Sequence, residues 1–334
     1  MPSIPMTFTV VIPTMNRSED LRRCLGALKS QERLADEVIV VIGPGDHVAT
    51  QVFTEVAAGR DNWRSLPATR PSVVEALNLG LTEAKGDIIV LTDDDSEAPP
   101  FWLQRLERHY LADARVGAVG GRDRLVLPSH PWLENPPPAK CVGQFNWYGL
   151  MLGNHHCGAV NSPLEVDMLK GVNLSFRRAA FPAGKIDSYL VSYGAEVGWE
   201  VDISLSIRQA GWRIIYDNDI WLRHHVGQRT EGDGRNEMTS APALRRAQNT
   251  SYLSAVYQPF WQVVMVELRA ALVGARFQPG LIWGMRGALA GNPATLAAVL
   301  RLFGARCRGM ADGRKARVKK FFKRGLSKAR PPQA

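Results

Sequence analysis

Short, nearly uninterrupted apolar runs recur through the first third of the chain, and they leave few folds open to it. Residues 8–12, 38–42 and 88–91 are each four or five residues long and almost wholly hydrophobic, the pattern of strands buried on both faces. Between them the period changes. Residues 18–29 bring Leu21, Cys24, Leu25 and Leu28 onto one helical face behind Ser18 and the acidic pair Glu19 and Asp20, a helix start signal. A break at Gly43-Pro44-Gly45 precedes a helix predicted near 49–58, a short strand is expected around 63–66, and a further helix over 73–84. This alternation predicts an α/β fold with a doubly wound, mainly parallel sheet. In such sheets ligands sit beyond the carboxyl ends of the strands. The loop 13–17 and the triplet Asp93-Asp94-Asp95 both fall there.

Three adjacent carboxylates repel one another, so a fold that gathers them needs a compensating cation. Hard divalent ions prefer oxygen ligands and also neutralise phosphates. A solvated acidic turn ahead of a helix starting near Pro100 is the competing reading, and the triplet alone does not separate the two.

The 334 residues suffice for one large α/β domain with an extension, or for two domains. Cys24, Cys141, Cys157 and Cys307 show no C-x-x-C spacing, which implies neither a zinc site nor an oxidising compartment. No basic segment leads into an apolar run near Met1, so a cytoplasmic location is expected. The net charge of +9 is concentrated in the tail: residues 301–334 hold 12 Lys or Arg against Asp312 alone, leaving about −2 for the rest. The main body therefore does not read as a nucleic-acid-binding surface.

After a strand at 116–121, a proline-rich stretch from 128 to 163 carries Trp147, Tyr148, His155 and His156, and its length suits a binding element. Regular patterning resumes at Met168. Residues 243–274, 288–303 and 314–328 read as three amphipathic helices, the last basic and carrying Phe321 and Phe322. Charges at Glu267, Arg269 and Arg276 interrupt the best apolar stretch, which disfavours a membrane span.

Several segments then fall into one order. Val10-Val11-Ile12-Pro13-Thr14-Met15-Asn16-Arg17, Asp36-Glu37-Val38-Ile39-Val40-Val41 and Gly86-Asp87-Ile88-Ile89-Val90-Leu91-Thr92-Asp93-Asp94-Asp95 resemble the first two strands and the metal-binding DxD signature of family 2 glycosyltransferases with the GT-A fold. Gly171-Val172-Asn173-Leu174-Ser175-Phe176-Arg177-Arg178 is similar to their donor-sugar strand. Gly198-Trp199-Glu200-Val201-Asp202, running to Gly211-Trp212-Arg213-Ile214, resembles the acidic catalytic helix and the strand after it. Residues 219–229, with His224 and Arg229, resemble the segment that returns a histidine to the metal. The resemblance spans roughly residues 7–230.

It implies a GT-A-type, Rossmann-like mixed sheet flanked by helices, with a glycosyltransferase domain over 1–235 and a helical, basic extension over 240–334. It further implies transfer of a sugar from a nucleotide-diphosphate donor, UDP-linked by preference, to the hydroxyl of a glycan or lipid-linked acceptor with inversion. Mn²⁺ or Mg²⁺ would be held by Asp93, Asp95 and His224, with His225 the competitor to His224 and Asp94 open between ligand and turn former. Glu200 takes the place of the usual catalytic aspartate, and Trp199 replaces the glutamate before it. Asp202 and Glu196 are further acidic candidates. Pro13, Thr14, Asn16, Arg17, Asp46, Arg70, Asn78, Asp93, Asp94, Gly171, Asn173 and Arg229 are the residues expected around the nucleotide sugar.

The basic tail suits an anionic membrane surface, the inner face of the cytoplasmic membrane being the expected place. No nucleic-acid-binding motif accompanies it. Two other readings stay open: a degenerate relative that binds without turnover, favoured by Trp199, and a nucleotidyltransferase. The latter would need a Gly-rich basic loop, and Pro13-Thr14-Met15-Asn16 is not one.

Overall fold

The computed structural model describes residues 6–191, 196–226, 240–275 and 278–324, with side chains through Lys320. Strands β1 (Phe8–Thr14), β2 (Glu37–Ile42), β3 (Trp63–Pro67) and β4 (Ile88–Leu91) lie parallel in the order β3-β2-β1-β4. Helices α1 (Ser18–Lys29), α2 (His47–Ala57) and α3 (Val73–Glu83) connect them. The helix starts are built locally: the side chains of Asp46 and Ser72 accept from the backbone N–H of Ala49 and Glu75, each satisfying an orphan donor of the first turn.

The second half adds β5 (Ser96–Glu97), α4 (Trp102–Ala112), β6 (Val116–Val126), the hairpin of β7 (Gln144–Phe145) with β8 (Met151–Leu152), β9 (Leu164–Glu165), β10 (Leu174–Arg177), α5 (Trp199–Gln209) and β11 (Arg213–His225). The main sheet continues as β4-β10-β6-β11-β5, with β9 also pairing β11. Strand β10 runs antiparallel to β4 and β6, and β5 and β9 run antiparallel to β11, whereas β6 and β11 are parallel. The sheet is thus mixed and mainly parallel, as expected. Alternate side chains of β1 enter opposite cores: Val11 packs with Leu77 and Ile203 on one face, Val10 and Ile12 with Leu25 and Trp102 on the other. Strand β6 runs five residues past the expected end at 121, which brings Asp123 into the sheet.

The C-terminal helices depart from the sequence reading. The single helix expected over 243–274 is two, α6 (Ala241–Tyr257) and α7 (Phe260–Leu272). Pro259 lacks an N–H and drives Gln258 to an extended conformation (φ −88°, ψ 155°). Beyond β12 (Gly274–Ala275), paired with β13 (Gln278–Pro279), come α8 (Leu281–Leu289) and α9 (Pro293–Arg324). The runs expected separately at 288–303 and 314–328 are largely joined in α9. Gly309 and Gly313 do not break it, because they let its backbone approach α6. A Cβ at these positions would lie 2.2 Å from the carbonyl oxygen of Gln248 and 2.5 Å from that of Tyr252. Tyr252, Leu253 and Val256 of α6 enter the same core as α3 and α5, so the extension is packed onto the sheet. The boundary expected at 235–240 falls almost wholly at 227–239, outside the described residues.

Candidate active site

Strand β4 is wholly buried and stops at Leu91, so the triplet emerges at the carboxyl end of the parallel strands. Below it, Thr92 Oγ1 donates to the carbonyl of Val172 at 2.8 Å and bonds Ser96 Oγ at 2.8 Å, which fixes the turn. Because β5 pairs antiparallel with β11, His224 lies opposite Ser96 and reaches back over the acids. The ligand atoms of Asp93, Asp95 and His224 lie within 4.8 Å of one another. His224 Nε2 is 3.4 Å from Asp95 Oδ1 and Nδ1 is 3.6 Å from Asp123 Oδ2. Both separations are too long for good hydrogen bonds. Asp95 Oδ1 and His224 Nδ1 are accordingly buried with no hydrogen-bond partner.

The electrostatics describe acids crowded beyond the cations available. Burial, reinforced by Asp95, pushes the Asp93 carboxyl up to about 6, and burial raises Asp94 to about 7 against the pull of Arg17 and Thr14. At Asp95 burial opposes ionisation, but His224 and Arg17 outweigh it and the pKa is lowered. His224 is raised to about 9 despite burial, through Asp123 and Asp95. An orphaned oxygen of Asp95, the carboxylate of Asp93 and the His224 imidazole make a donor set that fits a divalent ion such as Mn²⁺ or Mg²⁺.

Arg17, at the start of α1, places Nη1 3.0 Å from Asp95 and 3.3 Å from Asp94. Thr14 Oγ1 donates to Asp94 Oδ2 at 2.7 Å, so Asp94 is turned to the end of β1 and is absent from the three-residue cluster. Asn16 takes a left-handed conformation (φ 56°) between them, and its N–H donates to Asp46 Oδ2 at 2.5 Å. Pro13, Thr14, Asn16 and Arg17 thus form one rim of the site with the triplet.

Other expected residues are committed elsewhere. The carboxylate of Asp46 holds Asn16 and caps α2. Asn78 exchanges both hydrogen bonds with the backbone of Ile186, at 3.0 and 2.7 Å. Asn173 is buried: its Oδ1 accepts from Trp102 Nε1, and its Nδ2 donates to the carbonyls of Arg122 and Ile220. It crosslinks α4, β6 and β11. Arg70 pairs with Glu75 and lines, with Ser72, Arg245 and Gln248, a cavity of about 470 Å³ that no residue of the aspartate loop lines.

Asp202 is also corrected. Its buried carboxylate accepts from the N–H of Asp187, the hydroxyl of Tyr257 and the ammonium of Lys320, which makes it a clasp between α5, α6 and α9. Glu196 accepts from Ser72 Oγ and Val74 N–H at 2.7 and 2.6 Å and so holds the start of α3. Trp199 is only 7 % exposed; its ring covers Gly171, where an added Cβ would lie 2.3 Å away. That contact sets the first turn of α5, with Glu200 on it, beside the turn leading into β10. His225 turns away to Glu97, with Nε2 2.7 Å from Oε2. Arg229 lies outside the described residues.

Two functional neighbours were not expected. Asp123, fully buried on β6, faces His224 and forms an ion pair with Lys170; these partners lower its pKa to about 2 despite burial. The signal was present in the alternation of Gly121-Arg122-Asp123, which extends β6 with Asp123 inward.

A doubly wound sheet with an acidic turn after the fourth strand and a histidine returned to it defines the GT-A class of glycosyltransferases. Two solved structures share the architecture. The mannosyltransferase PcManGT from Pyrobaculum calidifontis, in complex with GDP-Man and Mn²⁺, has a TM-score of 0.51 at 17% identity over 93% of this chain and 88% of its own. GalNAc-T7 with UDP, GalNAc and Mn²⁺ has a TM-score of 0.61 at 16% identity over 86% of this chain and 57% of its own.

Residues 9–168 match Glycosyl transferase family 2. Glucosyl-dolichyl phosphate glucuronosyltransferase of Haloferax volcanii is 25% identical over 235 residues, covering 68% of this chain and 72% of the relative. Chondroitin synthase of Escherichia coli is 22% identical over 214 residues, covering 56% of this chain but 30% of the synthase.

Proposed function

We propose that the protein transfers a sugar from a nucleotide-diphosphate donor to an acceptor hydroxyl with inversion, in a metal-dependent reaction. The observation that carries this is the convergence of Asp93, Asp95 and His224 within 4.8 Å at the strand ends, with an unpartnered Asp95 oxygen among them and Arg17 beside them. A Mn²⁺ or Mg²⁺ ion held there would supply positive charge to the departing diphosphate, and the imidazole favours Mn²⁺. Arg17 offers a forked guanidinium for phosphate oxygens, while Pro13, Thr14 and Asn16 border the nucleotide. Gly171 keeps the turn beside Trp199 narrow, and Arg229 is a candidate partner of the diphosphate. The nucleotide is proposed to be uridine. Since solved neighbours hold UDP and GDP-Man, both belong in a donor screen.

Glu200 would act as the base that takes the acceptor hydroxyl's proton as the oxygen attacks the anomeric carbon from the face opposite the nucleotide. This assignment follows the family resemblance; Glu196 holds the start of α3 and Asp202 the clasp. Trp199 replaces an acid with a packed side chain, so its presence does not argue for a degenerate binder. The acceptor is proposed to be a glycan or a lipid-linked sugar, and the place of action the cytoplasmic face of a membrane, to which the basic end of α9 is suited. The test is donor turnover with Mn²⁺ for the native chain and Glu200→Gln. A fall of about 100-fold with donor binding retained is expected; an unchanged rate removes Glu200 from the mechanism.

A further inference from the structure

Helix α7 carries Trp261, Val264, Met265, Leu268 and Leu272, all exposed. Their spacing of three and four residues puts them on one stripe. The opposite face buries Val263, Val266 and Glu267. Helix α8 repeats the arrangement: Ile282, Trp283, Met285 and Leu289 are exposed, and Gly284 is buried against Leu296 and Val299 of α9. Trp283 is 59 % and Leu289 87 % exposed, far more than packing against this chain requires. The two stripes follow one another through the β12–β13 turn.

The charge around them indicates what covers them. Residues 240–334 contain 17 Lys or Arg and two acids, a net +15, whereas residues 1–239 contain 24 and 30, a net −6. Both acids are already paired: Glu267 with the buried Arg306 at 3.2 Å, and the partly exposed Asp312 with Tyr189, from which it accepts, and Lys315. Arg286, Arg301, Arg308, Arg314, Lys315 and Lys319 remain exposed. A second copy of the chain would bring the same positive field and be repelled. An anionic surface is complementary.

We infer that the apolar stripes of α7 and α8 form an in-plane anchor that inserts at the headgroup–acyl boundary of an anionic bilayer, with the surrounding arginines and lysines on the phosphates. Among the described residues no helix is long and apolar enough to cross a membrane. The 13 and nine residues of α7 and α8 suit helices lying in the interface, where tryptophan is favoured. The inference deepens the membrane-surface reading given above, on which it rests, and assigns the contact to apolar insertion in addition to charge on α9.

The experiment is co-flotation of the full chain with phosphatidylcholine vesicles, with and without phosphatidylglycerol, at low salt and at about 0.5 M salt, where charge attraction is screened. The native chain is expected to float with the anionic vesicles and to keep a measurable bound fraction at high salt. The double variant Trp261→Ser/Leu268→Ser, at exposed positions, is expected to lose roughly tenfold in partitioning. Bilayer lipids brominated near the glycerol backbone should quench native fluorescence, and less so in Trp261→Phe/Trp283→Phe. Binding that vanishes in high salt and is unchanged in the double variant overturns insertion while leaving the charge-based reading intact. No binding to any vesicle overturns both. A dimer that the double variant dissociates, with no lipid quenching, would instead assign the face to a second copy. Donor turnover without lipid is measured separately, so the catalytic reading stands or falls on its own.

Discussion

The ammonium of Lys320, near the end of the last helix, lies 3.2 Å from a carboxylate oxygen of Asp202, 118 residues earlier in the chain. It lies equally close to Asp187. The basic helix therefore works inward as well as outward, and Arg306 and Arg317 do the same toward Glu267 and the carbonyl of Gln258. Lys320→Met leaves the buried Asp202 short of its cation but still bonded to Tyr257 and to the backbone of Asp187. With Lys320 partly exposed, a loss of about 1–2 kcal/mol in urea unfolding is expected. Turnover of the folded variant should stay near native, and a collapse of turnover at unchanged stability would return Asp202 to the chemistry.

Asp95→Ala removes a proposed ligand and one of the two carboxylate partners of Arg17 at once. Calorimetric titration with Mn²⁺ should show binding lost, and turnover should fall with it. Because His224 is held protonated to about 9 in the metal-free protein, ion uptake at neutral pH must release its proton, so affinity should climb as pH rises toward 9. A pH-independent affinity would take His224 out of the ligand set.

Asp123→Asn tests the residue behind His224. It keeps the shape but loses the charge that orients the imidazole, so Mn²⁺ affinity should drop by roughly 10- to 100-fold. The readout is the binding constant with the fold checked by circular dichroism. Native affinity in the variant would show that His224 does not depend on Asp123.

The clasp at Asp187 predicts an acid limb of stability. Burial raises its pKa, but the Tyr252 hydroxyl and Lys320 outweigh burial, and the folded value is lowered. The unfolded chain then binds more protons in that window, so stability rises with pH. The contribution is complete above the unfolded value of about 4 and is lost as pH falls through the lower folded value. Asp187→Asn should flatten the stability profile below about pH 4, as followed by thermal melts from pH 3 to about 7.

Gly309→Ala reverses the usual helix rule. In an exposed helix alanine would gain about 1 kcal/mol over glycine. Here its Cβ would meet the carbonyl of Gln248 at 2.2 Å, a backbone atom that cannot move alone. A net loss of about 1–3 kcal/mol is expected, and a higher melting temperature would contradict the packing of α9 on α6.

Residues that act through their own segment were legible in the chain. The buried runs 38–42 and 88–91 had one period available to them, and the triplet at the end of β4 follows from where that run stops. Asn173, Asn78 and Asp46 looked like ligand-facing polar residues because a sequence does not show which polar groups will meet backbone N–H and carbonyl groups after folding. Asp123 went unnoticed for the converse reason: its partners, Lys170 and His224, lie 47 and 101 positions away.

By itself the sequence determined the alternation of strand and helix, the side of the sheet on which the acids emerge, and the resemblance to a family. Those features depend on local periodicity and on short, ordered motifs. Only the tertiary structure decided that His224 and not His225 faces Asp95, that Asp202 is a clasp, and that the glycines of α9 are contacts and not breaks. Each of these depends on register between β5 and β11 or on the approach of α9 to α6, and such distances are set by packing across the molecule.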